Sequence, residues 1–515
     1  MGAGPLVECS AGTLVGTIDA REPSIGRFAG IPYARPPVGE LRLRPALAAE
    51  PWAGARDASE FGARAMQAPS LLAPSREPQS EDCLYLNVWA PIDGGRPSPT
   101  ALPVMVWFHG GGFTSGSGAI TWYHGSRLAA RGAVVVTVNF RLGPFGFLHL
   151  EGLGGERWRG SANLGLSDQE LALRWVRDNI GAFGGDPAQV CIFGESAGGM
   201  SVSTHLGRPG SAGLFRAAIA QSGSAGHVQS AGSAERIAAA IIAEVGVSAH
   251  SLDRLAEVPA QALIDAATAL EGRIRGDGLP LPFQPTVDGT TLPRSPMEAI
   301  SAGDAADVAL VAGTTSEEMK LFTMMAAAGR GGARALDDDG LRARIERFGP
   351  QMGHPDADAD AVRVAYANSL GTGDGREIWT AVMTDLVFGV PAEQMIDAQR
   401  RGGGAAWSYL FTHPSSAFEG ALGAAHATEI PYVFDNLDQP GTSFLLGPAD
   451  AHREVLAVTM ADAWVSIARH AAAPWQPRPD QSSPEVTARP TMVFDLDSEE
   501  RDDPWGERRR VWMER

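Results

Sequence analysis

Lysine is almost missing from this 515-residue chain: Lys320 is the only one, so nearly every basic side chain is an arginine. With the abundant alanine and glycine, this reads as a GC-rich coding bias of bacterial kind, and no mechanism is drawn from it. Positive charge is scarce overall: 42 Lys and Arg against 60 Asp and Glu give a formal net charge of −18. Nucleic acid and anionic membranes repel a surface of that sign, so neither is an expected partner. Cysteine is sparse too. Cys9, Cys83 and Cys191 are an odd, scattered set, which builds neither a disulfide framework nor a metal cluster. Cys191 lies in the apolar run VCIF, as a buried core thiol would. No H-E-x-x-H is present, which leaves a zinc hydrolase unsupported. No apolar run is long enough for a membrane-spanning helix. The start, MGAGPLVECSAGTLVG, has no basic segment followed by an apolar one. No signal peptide is expected there, and a cytoplasmic location is.

What is present is a set of short, near-continuous apolar runs. LYLNVWAP (84–91), LPVMVWFHG (102–110), AVVVTVNF (133–140) and QVCIFGE (189–195) suit strands covered on both faces. FRAAIAQSG (215–223), VALVAGTT (308–315) and AWSYLFTH (406–413) continue the series. Between them LSDQELALRWVRDNIGAFG (166–184) reads as a helix. Ser167 and Glu170 have capping-box spacing, and Ala172, Val176 and Ile180 form one stripe. Gly184 to Pro187 ends it. The pattern is α/β, with a mostly parallel or mixed central sheet. The helix-rich stretches at 233–271 and 335–400 read as insertions over the sheet, and 473–490 as a surface loop. One domain over 1–515, with a helical cap at about 325–400, is the expected organisation.

FGESAGG (193–199) carries the sharpest chemical signal. In a chain with 62 glycines, a bare G-x-S-x-G is weak. Here it joins a buried strand to a helix, the context in which the serine becomes an exposed nucleophile. Ser196 is that candidate. Gly194 and Gly198 permit the tight turn, and the amide of Ala197 is a candidate oxyanion donor at a helix start. HGGGF (109–113) follows another buried strand, and the amides of Gly111 and Gly112 are the other candidate donors. His109 reads as a structural histidine holding that loop. A serine also needs a base and an acid. Glu317 and Glu318 follow VALVAGTTS, and side-chain alternation lets one of the two reach a base without saying which. Downstream, His413 and His426 bracket the loop after AWSYLF, and position alone does not separate them.

These residues resemble the type-B carboxylesterase family, the α/β-hydrolase branch that includes para-nitrobenzyl esterases, liver-type carboxylesterases and cholinesterases. The blocks FAGIPYARPPVGELRLRP, SEDCLYLNVW, VMVWFHGGGF, VNFRLGPFGFL, NLGLSDQELALRWVRDNIGAFGGDP and QVCIFGESAGG stand in family order. The resemblance implies the α/β-hydrolase fold with Ser196 as nucleophile. GTTSEEMKLF is similar to the family's G-x-x-x-D-E-G block, which places Glu318 as the acid and Glu317 where aspartate is usual; Met319 replaces the usual glycine. GAAHATEIPYVFDNL is similar to the histidine block, which makes His426 the base. Gly111, Gly112 and Ala197 match the three-donor oxyanion hole. Arg42, Glu81, Arg141 and Asp168 lie in family blocks and are expected to form structural ion pairs. Cys83 matches a cysteine that is disulfide-bonded in secreted relatives, but Ala65 stands where its partner would be, so a free thiol is expected. The same loop has no Trp or Tyr to bind choline through its π face, which disfavours choline esters.

The expected activity is hydrolysis of small, largely apolar or aromatic carboxylic esters through an acyl-enzyme, with no metal or organic cofactor. Carbamate or activated-amide hydrolysis by the same residues is the alternative. A non-catalytic binding protein on this fold is the remote one. The expected partner is a small-molecule ester, and monomer and homodimer both stay open. Met324, Met325, Trp379 and Phe388 are candidates to line an apolar pocket, with core packing the favoured reading.

Overall fold

The computed structural model describes residues 4–70, 76–276, 281–329, 336–480 and 487–513. The apolar runs become the strands of one large sheet. In chain order these are β1 (Thr17–Ile18), β2 (Ile25–Pro32), β3 (Tyr85–Asp93), β4 (Leu102–Phe108), β5 (Val134–Val138), β6 (Gly185–Glu195), β7 (Ala217–Gln221), β8 (Ala309–Thr315), β9 (Ala406–Phe411), β10 (Pro490–Phe494) and β11 (Glu499–Asp502). Across the sheet they lie β11-β10-β9-β8-β7-β6-β4-β5-β3-β2-β1. Neighbours from β5 to β10 run parallel. Antiparallel pairs close both edges. Every residue of β5, β7, β8 and β9 is buried, which is why these segments read as unbroken apolar runs rather than alternating ones.

The helices that matter for the site are α1 (Leu164–Asn179), α2 (Ala197–Leu206), α3 (Met319–Gly329), α4 (Ala359–Leu370), α5 (Gly375–Thr384), α6 (Val390–Arg401), α7 (His452–His470) and α8 (Gly506–Met513). The chain leaves β4 toward β5 on one side and β6 toward β7 on the other, while β4 and β6 are paired in the sheet. A crevice opens beyond the carboxyl ends of such strands, where ligands bind in open α/β sheets. Residues 109–113 and Ser196 emerge at that point. Among the described residues no helix is long and apolar enough to cross a membrane.

Two sequence expectations are corrected. Helix α1 starts at Leu164, directly after a 3-10 turn at Ser161–Asn163. Ser167 is therefore inside the helix, its hydroxyl donating to the carbonyl of Asn163 at 3.1 Å, and no capping box forms there. Glu170 instead binds Arg174 and Arg208. The stretch 473–490 is not wholly a surface loop. Arg478 is fully buried and Arg489 nearly so; both pair with Glu393 and Asp397 of α6. Of the pocket candidates, Met325 is 42 % exposed and so is not part of the core.

The expected ion pairs are present. Arg42 meets Glu81, with Nε 2.6 Å from the carboxylate. The guanidinium of Arg141 donates two bonds to Asp168, at 2.6 and 2.8 Å, and its backbone amide a third at 3.1 Å. Both residues are buried. This pair clamps the segment after β5 to α1, on the side of the sheet leading into β6. Cys83 is a free, buried thiol beside a small cavity lined in part by Ala65, Arg141 and Phe145.

Asp168→Asn leaves a guanidinium buried without its counter-charge. We expect about 3–5 kcal/mol of lost stability, read from the midpoint of denaturant unfolding; a change under about 1 kcal/mol would contradict the clamp.

Candidate active site

The turn at Ser196 is built by close packing. Ser196 has φ 56° and ψ −123°, a left-handed conformation that a serine adopts only where its surroundings impose it. A Cβ on Gly198 would lie 1.9 Å from the carbonyl oxygen of Phe108, and one on Gly194 2.6 Å from that same oxygen. Only glycine lets α2 start so near the end of β4. The amide of Ser196 donates to Gln221 of β7 at 2.9 Å, and its carbonyl accepts from Met200 at 2.8 Å. The turn is held at both ends while the residue itself stays partly exposed. Ala197 is the first residue of α2, so its amide has no acceptor within the helix.

The glycine loop lies against this turn. A Cβ on Gly110 would be 2.8 Å from Glu195 Oε2 and 3.2 Å from Ser196 Cβ. Gly111 has φ 107° and Gly112 φ 62°. The carbonyl of Gly111 accepts from the amides of Thr114 and Ser115 at 3.1 and 3.0 Å, which folds the loop back on itself. His109 is buried, stacks on Phe140 at 4.5 Å between centroids, and shares 2.8 Å with the carbonyl of Gly110 through Nδ1. Burial pushes its pKa down to about 4, so it holds the loop as a neutral ring.

The two undecided pairs separate here. Glu318 is fully buried, three residues past the end of β8. Its Oε2 lies 2.6 Å from His426 Nδ1, while Oε1 accepts from Ser222 Oγ at 2.6 Å and from the amide of Thr315 at 2.8 Å. Glu317 points elsewhere. Its amide donates to the carbonyl of Ala424 and its Oε2 accepts from the amide of Ala424, each at 2.9 Å. Its other oxygen pairs with Lys320. His413 is drawn away by Asp495, 3.0 Å from its Nδ1. Sequence alternation sends adjacent side chains in different directions, and the fold decides which one meets the imidazole.

Two residues escaped the sequence reading. His426 Nε2 lies 3.0 Å from Glu195 Oε1, and among the described residues Ser196 Oγ makes no hydrogen bond to His426. Catalytic hydrogen bonds are often long without substrate. Glu195 and Glu429 are both buried, and each leaves one carboxyl oxygen without a hydrogen bond. Burial lifts Glu195 to about 7 against the opposing charge of His426, and burial with the charges of Glu195 and Glu318 lifts Glu429 to about 8. Together they retain a proton near neutral pH. Gln221 donates to Glu429 at 3.1 Å and accepts from Trp464 at 3.0 Å. The only sequence signal for Glu195 was its place inside the motif, as the residue before the serine. Phe322 and Phe388 each pack 5.0 Å from the imidazole.

Comparison with known proteins points to a family. The family model described as "Carboxylesterase family" matches residues 3–510. The para-nitrobenzyl esterase of Bacillus subtilis is 38% identical over 95% of this chain and 95% of its own. The fumonisin B1 esterase of Sphingopyxis macrogoltabida is 36% identical over 89% of this chain and 81% of its own. A crystal structure of a Geobacillus stearothermophilus carboxylesterase superposes with a TM-score of 0.86 at 36% identity, covering 99% of this chain and 100% of that one. An α/β-hydrolase sheet, a strained serine turn at its switch point and relatives matched along almost their whole length lead to one conclusion: the chain belongs to the carboxylesterase family and is a carboxylic ester hydrolase.

Proposed function

We propose that Ser196, His426 and Glu318 cleave esters by acyl transfer through a covalent acyl-enzyme. The observation that carries the reading is the buried 2.6 Å contact between His426 Nδ1 and Glu318 Oε2, set beside the serine turn. A carboxylate at Nδ1 holds the proton on that nitrogen, which leaves the Nε2 lone pair for the serine. His426 takes the proton of Ser196 as its oxygen attacks the ester carbonyl. The amides of Gly111, Gly112 and Ala197 bind the oxyanion, and each donor is worth about 3 kcal/mol of barrier. His426 then protonates the departing alcohol, and water repeats the sequence on the acyl-enzyme.

The substrates are small, largely apolar or aromatic esters. Phe322 and Phe388 wall the imidazole side. Leu281 lies 3.6 Å from where a Cβ on Gly112 would be, which gives the oxyanion loop an apolar neighbour. The resemblance to a para-nitrobenzyl esterase supports an aromatic alcohol portion. The helices between 338 and 401 act as a cap of the same unit, since Phe388 reaches the imidazole from them.

A panel of para-nitrophenyl acyl esters and matched aryl carbamates tests the assignment. Robust ester turnover should vanish in Ser196→Ala and fall about a thousand-fold or more in Glu318→Gln. In Glu317→Gln it should change by less than about ten-fold, because an amide oxygen still accepts from Ala424. Folded wild-type enzyme inert on both classes would sink the proposal. Carbamate turnover exceeding ester turnover would move the leaving-group preference to the alternative.

The pH profile tests the electrostatics. Burial alone would depress the His426 imidazole, but Glu195 and Glu318 outweigh it and lift the ring to about 9. A base works only when neutral, so kcat/KM rises with pH through this ionisation. Removing one carboxylate lowers it, so in Glu195→Gln the rising limb should move to lower pH. A limb that stays in place, or moves up, contradicts the arrangement.

A further inference from the structure

Phe388 reaches His426 from an irregular place. Helices α5 and α6 are not separated by a loop but by one π-turn, Asp385–Gly389. Such turns insert an extra residue into a helix and recur at functional sites. The cause lies in Pro391. In regular helix its amide would bind the carbonyl of Val387, and proline has none. The ring of His227 fills the gap, its Nε2 lying 2.8 Å from Val387 O. A carbonyl can only accept, so Nε2 is the donor to Val387, while Nδ1 lies against Ser224.

The other side of the π-turn is held by the carboxy-terminal helix. Asp385 is buried, accepts from Tyr366 Oη at 2.5 Å, and lies 3.2 Å from Arg508 Nε of α8. Trp512 of α8 donates to the same Tyr366 oxygen at 2.8 Å. A Cβ on Gly389 would stand 2.7 Å from the indole of Trp505, so the turn seats directly on that ring. The turn's amino end touches the site as well, because the amide of Met319, next after Glu318, donates to Thr384 Oγ1 at 3.1 Å. Pinned from both sides, the π-turn presents Phe388 with its ring centroid 5.0 Å from His426 and 6.4 Å from Phe322.

We infer that the carboxy-terminal helix and the turn leading into it form a specificity element: Arg508 and Trp512 of the helix and Trp505 of the turn position the π-turn, and through Phe388 they set which ester groups fit beside the imidazole. Arg508 and Asp385 are positioning residues in this scheme and touch no substrate. The inference rests on the reading that Phe388 walls the ester pocket, and it adds what holds that wall.

The test measures kcat/KM for a bulky and a small para-nitrophenyl acyl ester, and takes their ratio. The ratio cancels the amount of active enzyme, so mere destabilisation does not move it. Phe388→Ala should raise the bulky-to-small ratio about ten-fold. Arg508→Met should raise it about three-fold or more, with Arg508→Lys restoring part of the wild-type value. In the Phe388→Ala background Arg508→Met should add nothing further. Trp505→Leu, a change at a half-buried side chain, should follow Arg508→Met and stands in for it if that variant fails to fold. An unchanged ratio in Arg508→Met and Trp505→Leu, while Phe388→Ala moves it, would overturn the inference and leave the pocket wall intact. So would a shift that adds in full in the double variant. A flat ratio in Phe388→Ala itself would remove the wall, and the inference with it.

Discussion

His426 is 4 % exposed between the carboxyl groups of Glu318 and Glu195, and the charge state of an imidazole so placed depends on which of those groups is ionised. Two ionised carboxylates would trap it as a cation, useless as a base. Burial moderates that outcome by pushing Glu195 and Glu429 toward their neutral forms, yet the ring is still lifted to about 9, so the neutral base is gained only as pH rises. Glu318, in contrast, receives bonds from Ser222 and from the amide of Thr315, which fix the direction in which its other oxygen meets the ring. Of the carboxyls around one ring, one orients it and two are pushed by burial toward their neutral forms. Their surroundings make the division, since the side chains are chemically identical.

The second constraint is steric. Strands β4 and β6 end so close together that the carbonyl of Phe108 occupies the space a Cβ on Gly198 would need. This contact brings the glycine loop, the serine turn and the start of α2 into one place. The positive φ of Ser196 is tolerated because Gln221 and Met200 tie its backbone on either side. Strain at the nucleophile and the absence of side chains around it follow from a single crowded crossing of backbone.

Much of this was legible in the amino-acid order. Buried parallel strands leave unbroken apolar runs, and β4, β5, β6, β7, β8 and β9 were each visible in that way. The serine turn carries its own glycines, so Ser196 could be read directly. What local pattern could not supply was direction in three dimensions. Glu317 and Glu318 are neighbours of one type, and only the fold sends one to the imidazole and the other to Ala424. Ser167 and Glu170 have the spacing of a helix cap, yet the preceding 3-10 turn starts the helix earlier and Arg208 claims Glu170. Arg478 and Arg489 sit in a stretch whose polarity suggests a surface, while their partners on α6 lie some 80 to 96 residues away in sequence. Burial of charge depends on distant partners, which no local window contains.

The scarcity of lysine acquires a meaning from where Lys320 stands. Its ammonium is held by Glu317, whose other oxygen receives the amide of Ala424, two residues before His426. Acylating reagents attack amines and leave guanidinium groups alone, so on this protein they meet one side-chain target beside the α-amino group. Acylation there removes the charge that Glu317 pairs with. A support or dye coupled through that side chain would therefore tether the molecule by the start of α3, which Glu317 ties to the loop that carries His426. Enzymes rich in lysine spread such attachment over their surface; this one concentrates it beside its candidate base.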